Sequence, residues 1–207
     1  CSMAISANNK SKILLSNSLN PAYKDVIETY FSCNGIDIDF IDTKDGVTDT
    51  SNMKDKITDD VACVVVQSPN YFGLIEDWKK IVQNKKNEDV LVVAVSDPMS
   101  LSILKSPGES GCDVYVGEGQ SLGNYLIYGG PYIGLFSTLS KYARKIPGRI
   151  IGRTEDVGAT NTPPASRCAG PGFRAQFHYA VAKLGQDEDR TDQSAALPSL
   201  SLLRFRW

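Results

Sequence analysis

A chain of 207 residues is long enough to bury one sizeable core, and 42% apolar with 22% charged residues is the balance of an ordinary globular protein. A net charge of -2 supplies no basic field for nucleic acid and no attraction to an anionic membrane surface. No apolar run reaches the roughly 20 residues of a membrane span and no signal-like segment opens the chain, so a cytoplasmic protein is expected.

The chain begins Cys1-Ser2-Met3-Ala4, without an initiating methionine, and reads as a piece of something longer. Lys12 to Ser16 predicts a short buried strand. Asn20-Pro21 predicts a helix start, with Asn as the cap and Pro at the first helical position. The helix after it carries Tyr23, Val26, Ile27, Tyr30 and Phe31 at i, i+3, i+4, i+7 and i+8, a stripe expected to bury one face. Asn34-Gly35 ends it, and the alternation from Ile36 to Ile41 predicts a strand with one covered face. Asp45-Gly46 marks a turn, and Thr50 to Ile57 a short polar helix.

Val61 to Val66 is an uninterrupted apolar run, the pattern of a parallel strand buried on both faces. Gln67-Ser68-Pro69-Asn70 follows at its carboxyl end. Ile75 to Lys85 reads as a helix with Ile75, Trp78 and Val82 on one face. Val90 to Val95 is the second such run, ended by Ser96-Asp97-Pro98. Val114 to Val116 opens a glycine-rich passage with turns at Gly117-Glu118-Gly119 and Gly129-Gly130-Pro131, closed by the apolar run Tyr132 to Phe136. Leu139 to Lys145 predicts a short basic helix stopped by Pro147-Gly148. Alternating strands and helices with two all-apolar strands indicate an α/β domain with a largely parallel sheet. Ligands bind such sheets outside the carboxyl ends of the strands, so Asn70, Asp97 and Gly117 to Gln120 are expected to share one crevice.

From about Gly158 the composition changes. Residues 158–207 contain no isoleucine and one lysine, against 15 and 13 in residues 1–157, so the tail is expected to be a polar extension or a non-native reading frame without chemistry of its own. Tyr179 to Leu184 has room for one or two helical turns.

Five cysteines (1, 33, 63, 112 and 168) show no paired spacing and read as free buried thiols, with neither a disulfide frame nor a zinc site. The one histidine, His178, lies in the tail, which argues against a histidine triad or a His-rich metal site.

Each motif has a structural and a functional reading. GEGQSLG, from Gly117 to Gly123, has the glycines of a dinucleotide turn but leads into another glycine turn where that fingerprint requires a helix, so a structural loop is the stronger reading. Asp97 reads equally as a helix cap and as the partner of a pyridinium nitrogen in a pyridoxal-phosphate enzyme. Such an enzyme also needs a lysine about two dozen residues further on. Gln120-Ser121 stands there, and an amide forms no imine. Lys105 lies in a turn-rich connection. In Gln67 to Gly73 the amides orient a ligand or a loop, and Tyr71 and Phe72 suit a subunit contact or a satisfied turn. Glu76-Asp77 precedes a helix, where carboxylates complement the dipole, so acid–base chemistry is a weak reading.

Four segments, VVVQSPNYFGLIED (64 to 77), VSDPMSLSILKSPGESGCD (95 to 113), VGEGQSLGNYLIYGGPYIGLFS (116 to 137) and KIPGRIIGRTED (145 to 156), resemble in order and spacing the glycine dehydrogenase (decarboxylating) family. This is the P-protein of the glycine cleavage system, and the resemblance is to its subunit 1, equivalent to the N-terminal half of single-chain forms. It covers about Ala4 to Val157. The resemblance implies an incomplete fold-type-I pyridoxal-phosphate-transferase large domain (residues 1–157) followed by an atypical tail (158–207). It implies pyridoxal phosphate in a partner subunit 2, glycine as substrate and the lipoyl H-protein as acceptor of the aminomethyl group. It assigns no catalytic residue to this chain with certainty. Asp97 and Gln120 would stand where the pyridinium aspartate and the Schiff-base lysine stand in the companion. Asn70, Gly73, Asp97, Gly117, Glu118, Gly119, Gln120, Ser121, Gly129 and Gly130 would be pocket or interface residues. After Asp156 the expected GFVLTLQ-like strand is absent, which leaves a truncated, non-catalytic scaffold as one alternative. An independent pyridoxal enzyme using Lys105 or Lys141 is another.

Overall fold

The computed structural model describes residues 1–126, 128, 133–146 and the backbone of 179–184. Helix α1 (Ser2–Asn8) leads into strand β1 (Lys12–Ser16). Helix α2 (Pro21–Phe31) follows, its first turn closed by the Asn20 side chain accepting from the Ala22 amide at 3.0 Å. Strand β2 (Asp37–Ile41) and a two-stranded hairpin, β3 (Thr43–Lys44) with β4 (Val47–Thr48), come next. Asp45 and Gly46 both take positive φ at its tip, as a tight hairpin turn requires. Helix α3 (Thr50–Lys56) is capped by Asp49, strand β5 (Val61–Gln67) enters the core, and helix α4 (Trp78–Gln83) leads to β6 (Leu91–Val95). Strands β7 (Val114–Glu118), β8 (Gly134–Leu139) and β9 (Tyr179–Leu184) complete the elements, with a basic 3-10 turn over Ser140–Lys145 after β8.

The long sheet runs β2-β1-β5-β6-β7-β8-β9, with β1, β2, β5, β6 and β7 mutually parallel, β8 antiparallel to β7 and β9 parallel to β8. Successive side chains of a strand face opposite sides, and β5 uses both. Val64 and Val66 join Leu14, Val92 and Ala94 against Met53 of α3 and Trp78 and Ile81 of α4. Cys63 and Val65 join Ile13, Leu15 and Val93 against Met3 and Ala4 of α1 and Phe31 of α2. A strand covered on both faces cannot alternate with polar residues, and this is why Val61–Gln67 is apolar throughout its buried length.

Several expectations are corrected. Helix α1 was not anticipated, because its seven residues carry no side-chain cap and no charge. The α2 stripe does not bury a face: Phe31 is buried and Ile27 packs partly inward, while Tyr23, Val26 and Tyr30 stand exposed. The helix expected from Ile75 starts at Trp78, with Asp77 as its cap and Ile75 exposed before it. Cys33 is exposed and Cys1 half-buried; Cys63 and Cys112 are the buried thiols. Tyr179–Leu184 is a strand where helical turns were expected. The stop at Pro147-Gly148, Cys168, His178 and the rest of the 158–207 tail lie outside the described residues. No described helix is long and apolar enough to cross a membrane.

Leu14→Ala removes a fully buried side chain between β2 and β5 and is expected to destabilise the fold by about 3 kcal/mol, whereas Val26→Ala on the outer face of α2 should change it by less than about 0.5 kcal/mol. Urea unfolding followed by circular dichroism separates the two. A large loss at Val26 would show that the outer face of α2 is packed after all.

Candidate functional site

The strand order reverses between β1 and β5: the chain steps outward from β1 to β2, then returns to β5 and builds the other way. In an open α/β sheet the crevice outside the strand ends at such a point is where ligands bind. Here the protein fills it from within. The buried Glu76 carboxylate accepts from Ser18 Oγ (2.9 Å), Thr48 N (3.1 Å), Thr48 Oγ1 (3.0 Å) and Asn70 Nδ2 (3.0 Å), while its own amide donates to Ser68 Oγ (3.1 Å). With the Ser18 and Thr48 protons directed at Glu76, the Ser16 hydroxyl, 2.8 Å from each, has two acceptors for its own. Asn20 N donates to Gln67 Oε1 at 2.9 Å and Tyr71 N to Ser18 O at 2.8 Å, closing the loops after β1 and β5 over each other.

This fixes the role of Asn70. Its Nδ2 donates to Gly46 O (2.8 Å) and Glu76, and its Oδ1 accepts from Phe72 N and Leu74 N (3.0 Å each). An amide has two donor hydrogens and one acceptor oxygen, so both ends are committed to the Asn70–Gly73 turn and its support. Gly73 takes φ 81° in that turn, a value that favours glycine.

The open part of the strand ends lies over β6 and β7. Asp97 is exposed after β6, and its Oδ1 accepts from Met99 N (2.8 Å) and from Ser121 Oγ (3.3 Å) in the loop after β7. The loop around Gln120 thus meets Asp97, whereas the side-chain bonds of Asn70 all run to the neighbouring network. Gln120 is turned inward on its own loop: its amide N accepts no partner beyond donating to Glu118 Oε1 (2.8 Å), and its Nε2 donates to Asn124 O (3.0 Å). Tyr115 Oη donates to Ser96 O at 3.1 Å, and burial together with the Asp97 charge pushes its pKa up to about 12. A Cβ on Gly117 would fall 2.6 Å from that same Ser96 oxygen, so only glycine lets β7 approach so closely. Gly119 is buried against Ile133, its N donating to Ile133 O at 2.7 Å. Gly129 and Gly130 lie outside the described residues.

Asp113, at the start of β7, sets where these loops begin. Its Oδ2 accepts from Val92 N (3.0 Å) and Lys85 Nζ (3.4 Å), and its carbonyl from Thr138 Oγ1 (2.9 Å), so one buried residue ties β6, β7 and β8. Lys141 is largely exposed, 4.0 Å from the same carboxylate. Lys105 lines a separate cleft of about 190 Å³ with Trp78, Leu104 and Ser110 at the start of α4. Among the described residues no group of three or more His, Cys, Asp or Glu is placed to hold a metal.

A mostly parallel α/β sheet with an antiparallel strand after the fifth parallel one, and its loops gathered at the carboxyl ends, is the large-domain core of the fold-type-I pyridoxal-phosphate enzymes. A NifS-like protein shares this fold, with TM-score 0.51 at 15% identity over 64% of this chain and 39% of that one. The crystal structure of a glycine decarboxylase (P-protein) of the glycine cleavage system, in inhibitor-bound form, matches at TM-score 0.67 and 34% identity, covering 75% of this chain and 35% of that chain. The family model for the glycine cleavage system P-protein matches residues 1–163, and the chain belongs to that family. Among curated relatives, the probable glycine dehydrogenase (decarboxylating) subunit 1 of Desulforamulus reducens is 44% identical over 155 residues, covering 75% of this chain and 35% of its own. That of Staphylothermus marinus is 46% identical over 154 residues, covering 72% of this chain and 33% of its own. The chain spans about a third of the length of these relatives.

The residues that sequence reasoning missed are Glu76 and its donors Ser18 and Thr48. One signal was available: of two adjacent carboxylates before a helix only one can be the cap, which leaves the other to be satisfied elsewhere. Glu76→Gln sets an amide NH₂ against hydrogen-bond donors and is expected to destabilise by about 1–3 kcal/mol, while Asp77→Ala, which removes a cap, should cost about 1 kcal/mol. Chemical denaturation reads both; a Glu76→Gln protein as stable as wild type would remove Glu76 from this role. Alkylation at mildly basic pH is expected to modify Cys33 and spare Cys63 and Cys112 until unfolding, because burial raises both thiols and takes Cys112, aided by the Asp113 charge, up to about 12. Peptide mass mapping gives the answer.

Proposed function

We propose that this chain is part of a subunit 1 of glycine decarboxylase that works with a companion subunit bearing pyridoxal phosphate. Glycine loses carbon dioxide and its aminomethyl group passes to the lipoyl group of the H-protein, whose disulfide accepts the electron pair. The cofactor of the companion supplies the electron sink for that loss.

The observation that carries this reading is the Asp97–Ser121 contact at the ends of β6 and β7, with Gln120 beside it. Such an arrangement suits a pocket wall: Asp97 holds the loop, and the loop's backbone shapes a surface. It does not suit covalent attachment, since a glutamine has no amine to offer, and the group does not fit this loop. Lys105 belongs to another cleft and Lys141 to the Asp113 cluster. The part left to this chain is to position, to cover and to exclude water from a site whose reacting groups the companion holds. The reading of a scaffold without activity is favoured by one observation, the third of the relatives' length that the chain spans.

Co-expression with a subunit 2 of this family, followed by affinity purification and a bicarbonate–glycine exchange assay with H-protein, tests the proposal. A complex with exchange is expected, and a Ser121→Ala, Asp97→Ala double variant is expected to lower exchange about tenfold while the complex still forms. A complex without exchange leaves the scaffold reading; no complex overturns both. Borohydride treatment of the isolated chain with pyridoxal phosphate is expected to leave no stoichiometric lysine adduct, and one on Lys105 or Lys141 would make this an independent pyridoxal enzyme.

A further inference from the structure

Fourteen large apolar side chains stand exposed among the described residues, and ten of them lie in the three loops that follow β5, β6 and β7. Tyr71 and Phe72 follow β5, Met99 and Ile103 follow β6, and Tyr125 and Tyr128 follow β7. These strands are adjacent and parallel, so the loops leave the same end of the sheet side by side. Scattered apolar residues on a surface need no explanation; a rim of them across three neighbouring loops does.

Its size and its charge both bear on what covers it. Tyr71 and Phe72 are each 57% exposed, Tyr125 90% and Tyr128 93%. With ordinary aromatic areas these four rings alone present roughly 600 Å². That is at the upper end of the largest apolar patch on a monomer and approaches the roughly 800 Å² that each side of a stable interface contributes. No charged residue occurs between Gln67 and Ile75, between Pro98 and Leu104, or between Glu118 and Lys141. In a twofold contact a patch meets itself, so any charge on it would face its own like. This rim carries none in those stretches, and it is rich in the aromatic and methionine side chains that make up interface cores.

We propose that the rim is a self-association surface, through which two copies of this chain pair across a twofold axis when no other chain covers it. The proposal stands on the rim alone and does not rest on the glycine reading. The outer face of α2, with Tyr23, Val26 and Tyr30, is the other exposed apolar stripe and provides the control, since it belongs to a helix flanking the sheet and not to the strand ends.

Sedimentation velocity over a concentration series is the experiment. The wild-type chain is expected to move from 22.5 kDa towards twice that mass as concentration rises. Tyr125→Ser with Tyr128→Ser is expected to weaken the association at least about tenfold, as loss of central aromatic anchors does, and Tyr30→Ser to leave it unchanged. Circular dichroism checks that each variant is folded; Ile103→Ser, in the loop after a different strand, stands in if the tyrosine pair is not. A chain that stays monomeric at every concentration overturns the proposal and leaves the rim to a chain of different sequence. An oligomer indifferent to the rim variants overturns it equally. Because this test involves neither glycine nor a companion, its failure leaves the catalytic reading untouched, and the failure of exchange leaves this proposal untouched.

Discussion

The Glu76 carboxylate is buried where β1 and β5 end, and every hydrogen-bond donor it has must come from the protein around it. Thr48 supplies two from the hairpin, Ser18 one from the loop after β1, and Asn70 one from the loop after β5. A buried polar group left without partners costs more than a made bond returns, so these segments are constrained together. The consequence is topological. The position at which an open sheet normally receives a ligand is occupied by the chain itself, and exposed chemistry is displaced one strand pair along, to the ends of β6 and β7.

How much of this could be read in the sequence follows from how far each signal reaches. Val61 to Val66 and Val90 to Val95 announce strands buried on both faces, because continuous apolarity over so few residues fits little else when turn residues bound it. Asn20-Pro21 and Asp45-Gly46 are decided by neighbours one or two residues away, and both behave as local chemistry dictates. The fold class rests on these signals together, and the comparisons with solved structures bear it out. The α2 stripe had the right period, but period states only that a helix has an apolar side. What lies opposite that side is a tertiary matter, and there Tyr23, Val26 and Tyr30 meet solvent. Glu76 escaped notice for the same reason: its partners are 58 and 28 residues away in the chain, and its neighbour Asp77 accounts for the cap that the pair advertised.

Asp97 shows how a structural and a functional reading coexist. Its carboxylate closes a turn through Met99 N, as a cap would, and the same oxygen receives Ser121 Oγ from the loop after β7. A carboxylate serving a turn and a neighbouring loop is a positioning group. Its charge also reaches Tyr115, whose proton is held on the Ser96 carbonyl, and Gly117 leaves room for that contact by having no Cβ. The glycine turn that looked like a cradle for a ligand therefore has a nearer cause in the packing of β7 against the end of β6.

What separates a wall from a reaction centre in such a fold is a nucleophilic amine at the loop after β7. Gln120 keeps the reach and polarity of a lysine but spends its amide on Asn124 O, closing its own loop. The exchange of amine for amide removes covalent chemistry while leaving the backbone course that shapes the rim. Around it the loop sheds charge and carries Leu122, Tyr125, Leu126 and Tyr128 outward. A loop that bound a small polar ligand by itself would point polar groups inward and keep its large apolar groups covered. This one does the reverse, and its surface is completed by another polypeptide.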